Sequence, residues 1–339
     1  MRATLLYAPG DIRVEEVPDP VLSADHEAIV RVVASCVCGS DLWPYRGIDT
    51  RTPLPRRIGH EFIGVVEQVG TGVSQVSVGD FVIAPFFYSC GECENCQFGV
   101  SSACVRGGAY DGCQAELVSV PQADGTLYRL PSRPNEEQYS DLLALSDVFP
   151  TGHHAAVSAR VQAGGSAVVV GDGAVGLSGV LAAKRLGANT IVAMSRHDER
   201  AALAKRFGAT HIVSERGKDG AAQVKAIVGE IGADAVLECV GTEESMKQAF
   251  MSLRPGGTVG YVGVPHTAKV NLMVLFGKNM GLMGGVAPVR SYLDELVPEV
   301  LAGSLRPGAV FDQTLPLSDA ASAYRAMDER TAIKVMLRP

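Results

Sequence analysis

The sequence predicts an α/β protein in two parts, a doubly wound six-stranded parallel sheet and a strand-rich domain that carries a metal-stapled lobe. Three observations carry this expectation: a change of hydrophobic period near residue 150, a glycine-rich turn at 171–176, and four cysteines clustered at 90–104. With 339 residues the chain is too long for one ordinary core, so about two domains are expected.

Up to about Asp147 the hydrophobic runs are short. ATLLYA, EAIVRVVASCV, FIGVVEQVG, DFVIAPFFY and AELVSV alternate with Gly, Pro and Asp punctuation, the pattern of short strands in a partly closed domain. Within this part Cys90, Cys93, Cys96 and Cys104 form C-x-x-C-x-x-C-x7-C, in a lobe placed at 88–106. Four thiolates in one glycine-containing loop match the closed tetrahedral shell of a structural zinc, which leaves no position open for substrate. Two disulfides are the competing reading, and they need an oxidising compartment. Met1 leads into RATLLYAPGDIRVEEV without an apolar signal segment, and no stretch approaches a membrane span, so a cytoplasmic protein with reduced thiols is expected. The other cysteines, Cys36, Cys38, Cys113 and Cys239, sit in apolar sequence and by default are buried thiols.

From Ser166 strand and helix patterns alternate. SAVVVG, TIVAMS, HIVSE, DAVLECVG, GTVGYVG and GLMGGV read as six strands, separated by AVGLSGVLAAKRLG, DERAALAKRFG, the Asp219 to Ile231 run and the Glu243 to Leu253 run. Apolar runs rich in β-branched residues, joined by amphipathic helices, indicate a parallel sheet covered on both faces. The tail after about Val289 returns to helix and edge strands ending AIKVMLRP. The expected boundaries are 1–148, 149–289 and 290–339, the last segment rejoining the first domain.

Gly171-Asp172-Gly173-Ala174-Val175-Gly176 is G-x-G-x-x-G between a predicted strand and a predicted helix. In that context the glycines allow a tight turn, close backbone approach to a pyrophosphate and close helix packing, so Gly171, Gly173, Ala174, Val175 and Gly176 are assigned to a dinucleotide. The end of the second strand chooses the nucleotide, because an acid there grips both ribose hydroxyls of NAD and repels a 2′-phosphate. This chain has Ala193-Met194-Ser195-Arg196-His197, with no acid. Ser195 offers a hydroxyl and Arg196 a forked, always-charged donor, which together read as a phosphate pocket for NADP(H). The competing reading is a solvated Arg196 at a helix start, with Asp198 as a late acid.

A net charge of −7 without a long Lys/Arg run excludes an electrostatic footprint for nucleic acid or anionic membrane, so the partner is a small molecule. With 47% hydrophobic residues, 38 glycines and 6% aromatics the chain is a soluble enzyme rich in turns and not a disordered or fibrous protein.

Taken in order, Cys38-Gly39-Ser40-Asp41, Gly59-His60-Glu61, the four-cysteine lobe, Asp147 with Pro150-Thr151-Gly152, and the glycine-rich turn resemble the zinc-dependent medium-chain dehydrogenase/reductases, the alcohol dehydrogenase family, over essentially the whole chain. The resemblance implies a GroES-like catalytic domain, a Rossmann cofactor domain and a homodimer or homotetramer. It also implies a second, catalytic zinc held by Cys38, His60 and Asp147, two zinc ions per chain in all. A catalytic zinc takes three protein ligands and keeps a fourth position open. Asp at 147 is the choice of the family's bacterial secondary-alcohol branch. One thiolate, one carboxylate and a neutral imidazole still cancel the +2 charge. Asp41 is the implied partner of His60, and Glu61 the residue that approaches the metal when the ligand shell rearranges. Cys36 lacks the G-S-D sequel that marks Cys38. His153 and His154 are spare ligand candidates that the family places beside the cofactor, and Thr151, Val240 and Lys334 are likewise implied at the cofactor.

By resemblance Ser40 passes the proton. Where many relatives carry a relay histidine, five residues past the ligand cysteine, this chain has Trp43, whose N–H only donates. Trp43, with Phe86 and Tyr110, is therefore assigned to an apolar substrate pocket. The expected activity is hydride transfer between NADP(H) and a small to medium, fairly apolar alcohol, ketone or aldehyde. Two alternatives stand beside it: an NADPH-dependent reductase of activated C=C bonds on the same fold, which needs no relay, and a non-catalytic NADPH-binding protein, which has no reason to keep the zinc ligands.

Overall fold

The computed structural model describes residues 1–49, 53–110 and 112–339. The chain divides into two units, Met1–Asp147 with Pro288–Pro339, and Val148–Ala287.

The second unit is a six-stranded sheet whose strands all run parallel. In chain order they are Ser166–Val170, Thr190–Met194, His211–Val213, Ala233–Glu238, Leu253–Tyr261 and Gly281–Gly284, and across the sheet they lie in the order third, second, first, fourth, fifth, sixth. Val168, Val170, Val192, Met194 and Val236 are buried together with Val224 and Met246 from the covering helices, which is why these runs show no polar alternation. The strand order reverses beside the first strand, and ligands of such sheets bind at that point. There the chain turns from Val170 into the helix Ala174–Arg185. Gly171 takes φ +117°, and a Cβ on Gly176 would run into the Gly171 carbonyl, so both glycines are required by the turn itself.

The first unit holds a mixed sheet. Its strands follow the order Gln313–Pro316, Val335–Arg338, Ala28–Cys36, Phe62–Val69, Phe81–Ala84 and Tyr128–Arg129, with Leu117–Val120 paired to Ala28–Cys36. A small sheet of Asp11–Glu16, Arg2–Ala8 and Arg56–Arg57 completes its strands. The tail corrects one expectation: Val335–Arg338 is an interior strand, parallel to Gln313–Pro316 and antiparallel to Ala28–Cys36. The reason lies in its apolar content, since Val335 and Leu337 are fully buried against Leu6, Val37 and Tyr324. No helix among the described residues is long and apolar enough to cross a membrane.

Candidate active site and metal centres

Strand register assembles the first ligand set. Ser35 pairs with Phe62, Phe62 with Ala84, and Met336 with Cys36, each antiparallel. Cys38 therefore leaves one strand where His60 and Glu61 enter the next, Phe86 leaves a third and Lys334 enters a fourth, all at one end of the sheet. Asp147 reaches that end behind the helix Tyr139–Ala144, where the Phe86 N–H donates to the Ser146 carbonyl at 3.0 Å. Gly59 has φ +98°, and a Cβ there would lie 2.5 Å from Gln114 Cγ and 2.9 Å from its backbone nitrogen. The glycine before His60 is thus demanded by close approach.

Donor atoms of Cys38, His60, Glu61 and Asp147 all lie within 4.8 Å of one another. His60 Nε2 is 3.4 Å from Asp147 Oδ2, which is 3.8 Å from Cys38 Sγ. Asp41 orients the set from behind: Oδ1 sits 3.3 Å from His60 Nδ1, while Oδ2 accepts from the Cys38 N–H at 2.9 Å and from Gln114 Nε2 at 3.3 Å. The Gln114 oxygen in turn accepts from the buried Tyr324 hydroxyl at 3.2 Å. With Nδ1 engaged, His60 presents Nε2 to the other donors. Burial alone would lower the His60 pKa, but Asp41, Cys38 and Asp147 outweigh it and raise it well above the ordinary value. The anionic donors thus favour a positive charge at their centre. A thiol, an imidazole and carboxylates suit zinc, and Glu61 Oε2, buried without a hydrogen-bond partner, is the orphaned acceptor such an ion would satisfy.

The second set is the cysteine lobe. Cys93 Sγ lies 3.5 Å from Cys96 Sγ and 3.8 Å from Cys104 Sγ, and the Cys104 and Cys90 sulfurs are 3.4 Å apart. Sulfurs about 2.3 Å from one zinc stand ~3.8 Å from each other at tetrahedral corners, so the lobe is close to the size of its ion. Backbone N–H groups of Cys90, Cys93 and Arg106 donate to these sulfurs at 3.2 to 3.4 Å. Backbone donors at Cys96 and Val105 pull the Cys93 thiol down to about 6, whereas burial pushes Cys96 up to about 12. Thiolates this close repel one another unless a shared cation lies between them. All eight cysteines are free thiols.

In the second unit, Ser195 is buried at the end of the second strand and donates its hydroxyl to Asp172 Oδ2 at 2.8 Å. Asp172 comes from the glycine turn and also faces Arg200 Nη1 at 3.6 Å. Arg216 reaches back from the loop after the third strand, donating to the carbonyls of Met194 at 3.1 Å and Glu215 at 3.0 Å. Burial, then the charge of Arg196, lower its pKa, which places exposed Arg196 in its field. Val240 packs against the turn, 2.8 Å from where a Cβ on Gly171 would stand. Its N–H and that of Gly241 are held by Glu238 Oε1 at 2.9 and 2.8 Å. Thr151, His153 and His154 lie on the helix Val148–Ser158 of this unit.

Residues 24–132 match the alcohol dehydrogenase GroES-like domain model, and residues 174–301 the zinc-binding dehydrogenase model. A probable zinc-binding alcohol dehydrogenase of Mycobacterium tuberculosis is 35% identical over 349 residues, spanning 100% of this chain and 89% of that protein. The chain belongs to the zinc-dependent medium-chain dehydrogenase/reductase family. Zinc-type alcohol dehydrogenase B of Aspergillus flavus is 33% identical over 352 residues, covering 100% of this chain and 81% of its own length. Among solved structures, the alcohol dehydrogenase TADH from Thermus sp. ATN1 superposes with a TM-score of 0.91 at 33% identity, over 100% of this chain and 99% of that one. The protein is a zinc alcohol dehydrogenase-type oxidoreductase with zinc and a nicotinamide cofactor.

Lys334 is 1% exposed, and its Nζ donates to Glu61 Oε1 at 2.6 Å and to the Val37 carbonyl at 3.3 Å. One residue assignment is corrected by the geometry. Tyr110 does not line a pocket, because its ring packs edge-on against Phe62 in the core and its hydroxyl donates to the Pro85 carbonyl at 2.7 Å. Phe86 stands beside the ligand set, its ring 6.3 Å from that of His60 and edge-on. Ser40 is exposed and Trp43 half-buried in the turn after Cys38, where the Trp43 backbone N–H donates to the Ser40 carbonyl at 3.2 Å. Gln114, Tyr324, Asp172, Arg200 and Arg216 were not legible as site residues. Only Asp172, the variable position inside the glycine motif, carried a local signal.

Proposed function

We propose that this dehydrogenase uses NADP(H) and interconverts a small to medium, fairly apolar alcohol with its ketone or aldehyde. The observation that carries the cofactor is the charge around the end of the second strand. Arg196, Arg200 and Arg216 gather there with the Ser195 hydroxyl, against the carboxylates of Asp172 and Glu215, and Asp172 is already engaged by Ser195 and Arg200. An excess of guanidinium beside a hydroxyl suits a 2′-phosphate. Bound zinc supplies a Lewis acid for the substrate oxygen and the nicotinamide exchanges the hydride. The chain itself would hold the zinc through Cys38, His60 and Asp147, keep His60 in one tautomer through Asp41, and offer Ser40 for the proton. Phe86 and Trp43 support an apolar substrate.

The test is Arg196→Ala. Loss of a charge-assisted hydrogen bond costs about 1.5 to 3 kcal/mol, so KM for NADPH should rise ~10- to 100-fold while KM for NADH hardly moves. Equal changes with both cofactors would show Arg196 to be merely solvated. Screening NADPH oxidation across aldehydes, ketones and enones then fixes the substrate class, and reduction of an enal at its C=C bond would move the assignment to a double-bond reductase.

We also propose a homo-oligomer, a dimer or tetramer, for this protein. Gly281–Gly284 is the last strand of its sheet, and Leu272, Met273 and Phe276 on the preceding helix are 73%, 72% and 80% exposed. An open edge beside such a patch suits a second copy. Light scattering on the purified protein should give at least twice the mass of the 35.6 kDa chain. Phe276→Asp should shift the assembly toward monomer.

A further inference from the structure

We infer that Gln114 is a positioning residue for the candidate zinc site: set by Tyr324, its amide fixes the Asp41 carboxylate and, through it, the two ligands Cys38 and His60. The inference rests on the reading of Cys38, His60 and Asp147 as the ligands of a catalytic zinc.

The backbone puts Gln114 beside the strand that delivers His60. Its N–H donates to the Ile58 carbonyl at 3.1 Å, and that of Cys113 to the Gly59 carbonyl at 3.1 Å, so Gln114 is in register with the positions just before the ligand. The Thr4 N–H donates to the Gln114 carbonyl at 2.8 Å and pins the other side. The side chain then runs past Gly59, where a Cβ would strike it. The space that this glycine leaves is filled by the amide.

A buried amide is costly unless its polar groups are used. Gln114 and Tyr324 are both fully buried, and every polar group of the amide is engaged. Nε2 donates to the Cys36 carbonyl at 3.0 Å and to Asp41 Oδ2 at 3.3 Å, while Oε1 accepts from the Tyr324 hydroxyl at 3.2 Å. These partners settle which way round the amide sits. Turned over, its oxygen would face a carboxylate and a carbonyl with no proton among the three. Tyr324, on the helix Ala320–Asp328, is itself fixed: its ring centre is 5.4 Å from that of Tyr45, and it packs in the core with Leu6, Val37 and Leu337.

The two oxygens of Asp41 have different tasks. Oδ1 lies 3.3 Å from His60 Nδ1, whereas Oδ2 takes the Cys38 N–H at 2.9 Å and the Gln114 amide. A carboxylate with one donor behind it can swing about its Cβ–Cγ bond. Two donors from distant parts of the chain hold its plane, and the oxygen facing the imidazole is held with it. Asp41 thus ties the backbone of one ligand to the ring of another, and Gln114 is the third point that stops it turning. Packing alone does not call for an amide here. A methionine would fill the same space without burying three polar groups.

The test uses the full-length protein with zinc in the lobe and cobalt exchanged into the Cys38 site, where visible bands absent from Cys38→Ala report that site alone. Loss of those bands to excess EDTA times metal release, and thermal melting runs alongside. Gln114→Met keeps the length of the side chain and none of its hydrogen bonds. It should shift the cobalt bands and speed release about 10-fold, the lower end of what partners of metal ligands command. Its melting temperature should fall by a few degrees, because the Tyr324 hydroxyl is left buried and unpaired. Gln114→Met/Tyr324→Phe removes that hydroxyl. Melting should then return toward the parent while fast release and shifted bands persist, a split that damage to the fold does not give. Tyr324→Phe alone leaves both donations of Gln114 in place, so its release rate should lie between those of the parent and Gln114→Met.

Unshifted bands in the double variant, with release within about 2-fold of the parent and so below the 10-fold of a ligand partner, would overturn the inference while leaving the three-ligand reading standing. Release that recovers in step with the melting temperature would do the same. If neither Gln114 variant folds, Tyr324→Phe decides, and parent-like bands and release there overturn the inference. A parent protein that binds metal in the lobe alone would remove the three-ligand reading, and this inference with it.

Discussion

Cys38→Ala and His60→Ala should each be purified with one zinc per chain, against the two expected of the parent protein, and with activity lost. The two ligand sets share no residue, so removing one leaves the other intact. Loss of the substrate-facing ion removes several kcal/mol of charge stabilisation at the reacting oxygen, which corresponds to at least about 10³ in rate. The fold should survive. Cys38 lies in a turn outside the strands, and the cores around Phe62 and around Tyr324 do not depend on its sulfur. His60→Ala leaves Asp41 without its imidazole, but the Cys38 N–H and Gln114 still donate to that carboxylate, so the cost should stay near the ~1 to 3 kcal/mol of one lost buried partner. Elemental analysis alongside circular dichroism decides the matter. A single zinc in the parent protein, freshly purified without chelator, would sink the two-site assignment.

The lobe invites the opposite result. Cys93 and Cys96 sit in short helical turns with little apolar burial of their own, so the metal supplies what a core would supply elsewhere. Cysteine substitutions there should lower stability before they touch the chemistry.

What could be read from the chain in advance follows from how local each signal is. The turn at Gly171 announces itself because a strand, a tight turn and a helix must occur in that order within a few residues. The lobe does so because four ligands of one ion fall within fifteen positions, Cys90 to Cys104. Lys334 shows the converse. Its partner Glu61 is 273 residues away, and it takes the pairings of Met336 with Cys36 and of Ser35 with Phe62 to bring the two to one sheet end. A lone lysine among apolar residues flags burial but not its purpose. Tyr110 misled for a related reason: an aromatic ring after a metal lobe can face a pocket or the core, and composition does not separate the two. At the end of the second strand the missing acid was visible, yet the nearest carboxylate arrives from Asp172, 23 residues earlier in the chain. Asp172 tempers the proposed phosphate pocket, and its carboxylate is already engaged by Ser195 and Arg200.

Ser40→Ala should depress kcat for alcohol oxidation by about 10² to 10⁴, the worth of general acid–base transfer, while Trp43→Ala should leave kcat nearly intact and change KM and substrate choice. Both residues lie in the turn that follows Cys38, and they differ in what they offer a proton. The Ser40 hydroxyl donates and accepts, and it is exposed two residues from the ligand sulfur. The Trp43 indole donates only, so it cannot take a proton from the substrate and return it to solvent. With no imidazole in that position, Ser40 offers the turn a group that can both take and give a proton. Removing the indole instead takes apolar surface away from the turn after Cys38, and a change of that kind in a substrate pocket is worth ~1 to 3 kcal/mol of discrimination between a bulky and a small alcohol. The comparison needs kcat and KM for both variants on one alcohol of each size, with a deuterated substrate to show that hydride transfer limits the rate. Wild-type kcat in Ser40→Ala, together with a full isotope effect, would remove Ser40 from the proton path and leave cofactor hydroxyls and water to carry the proton.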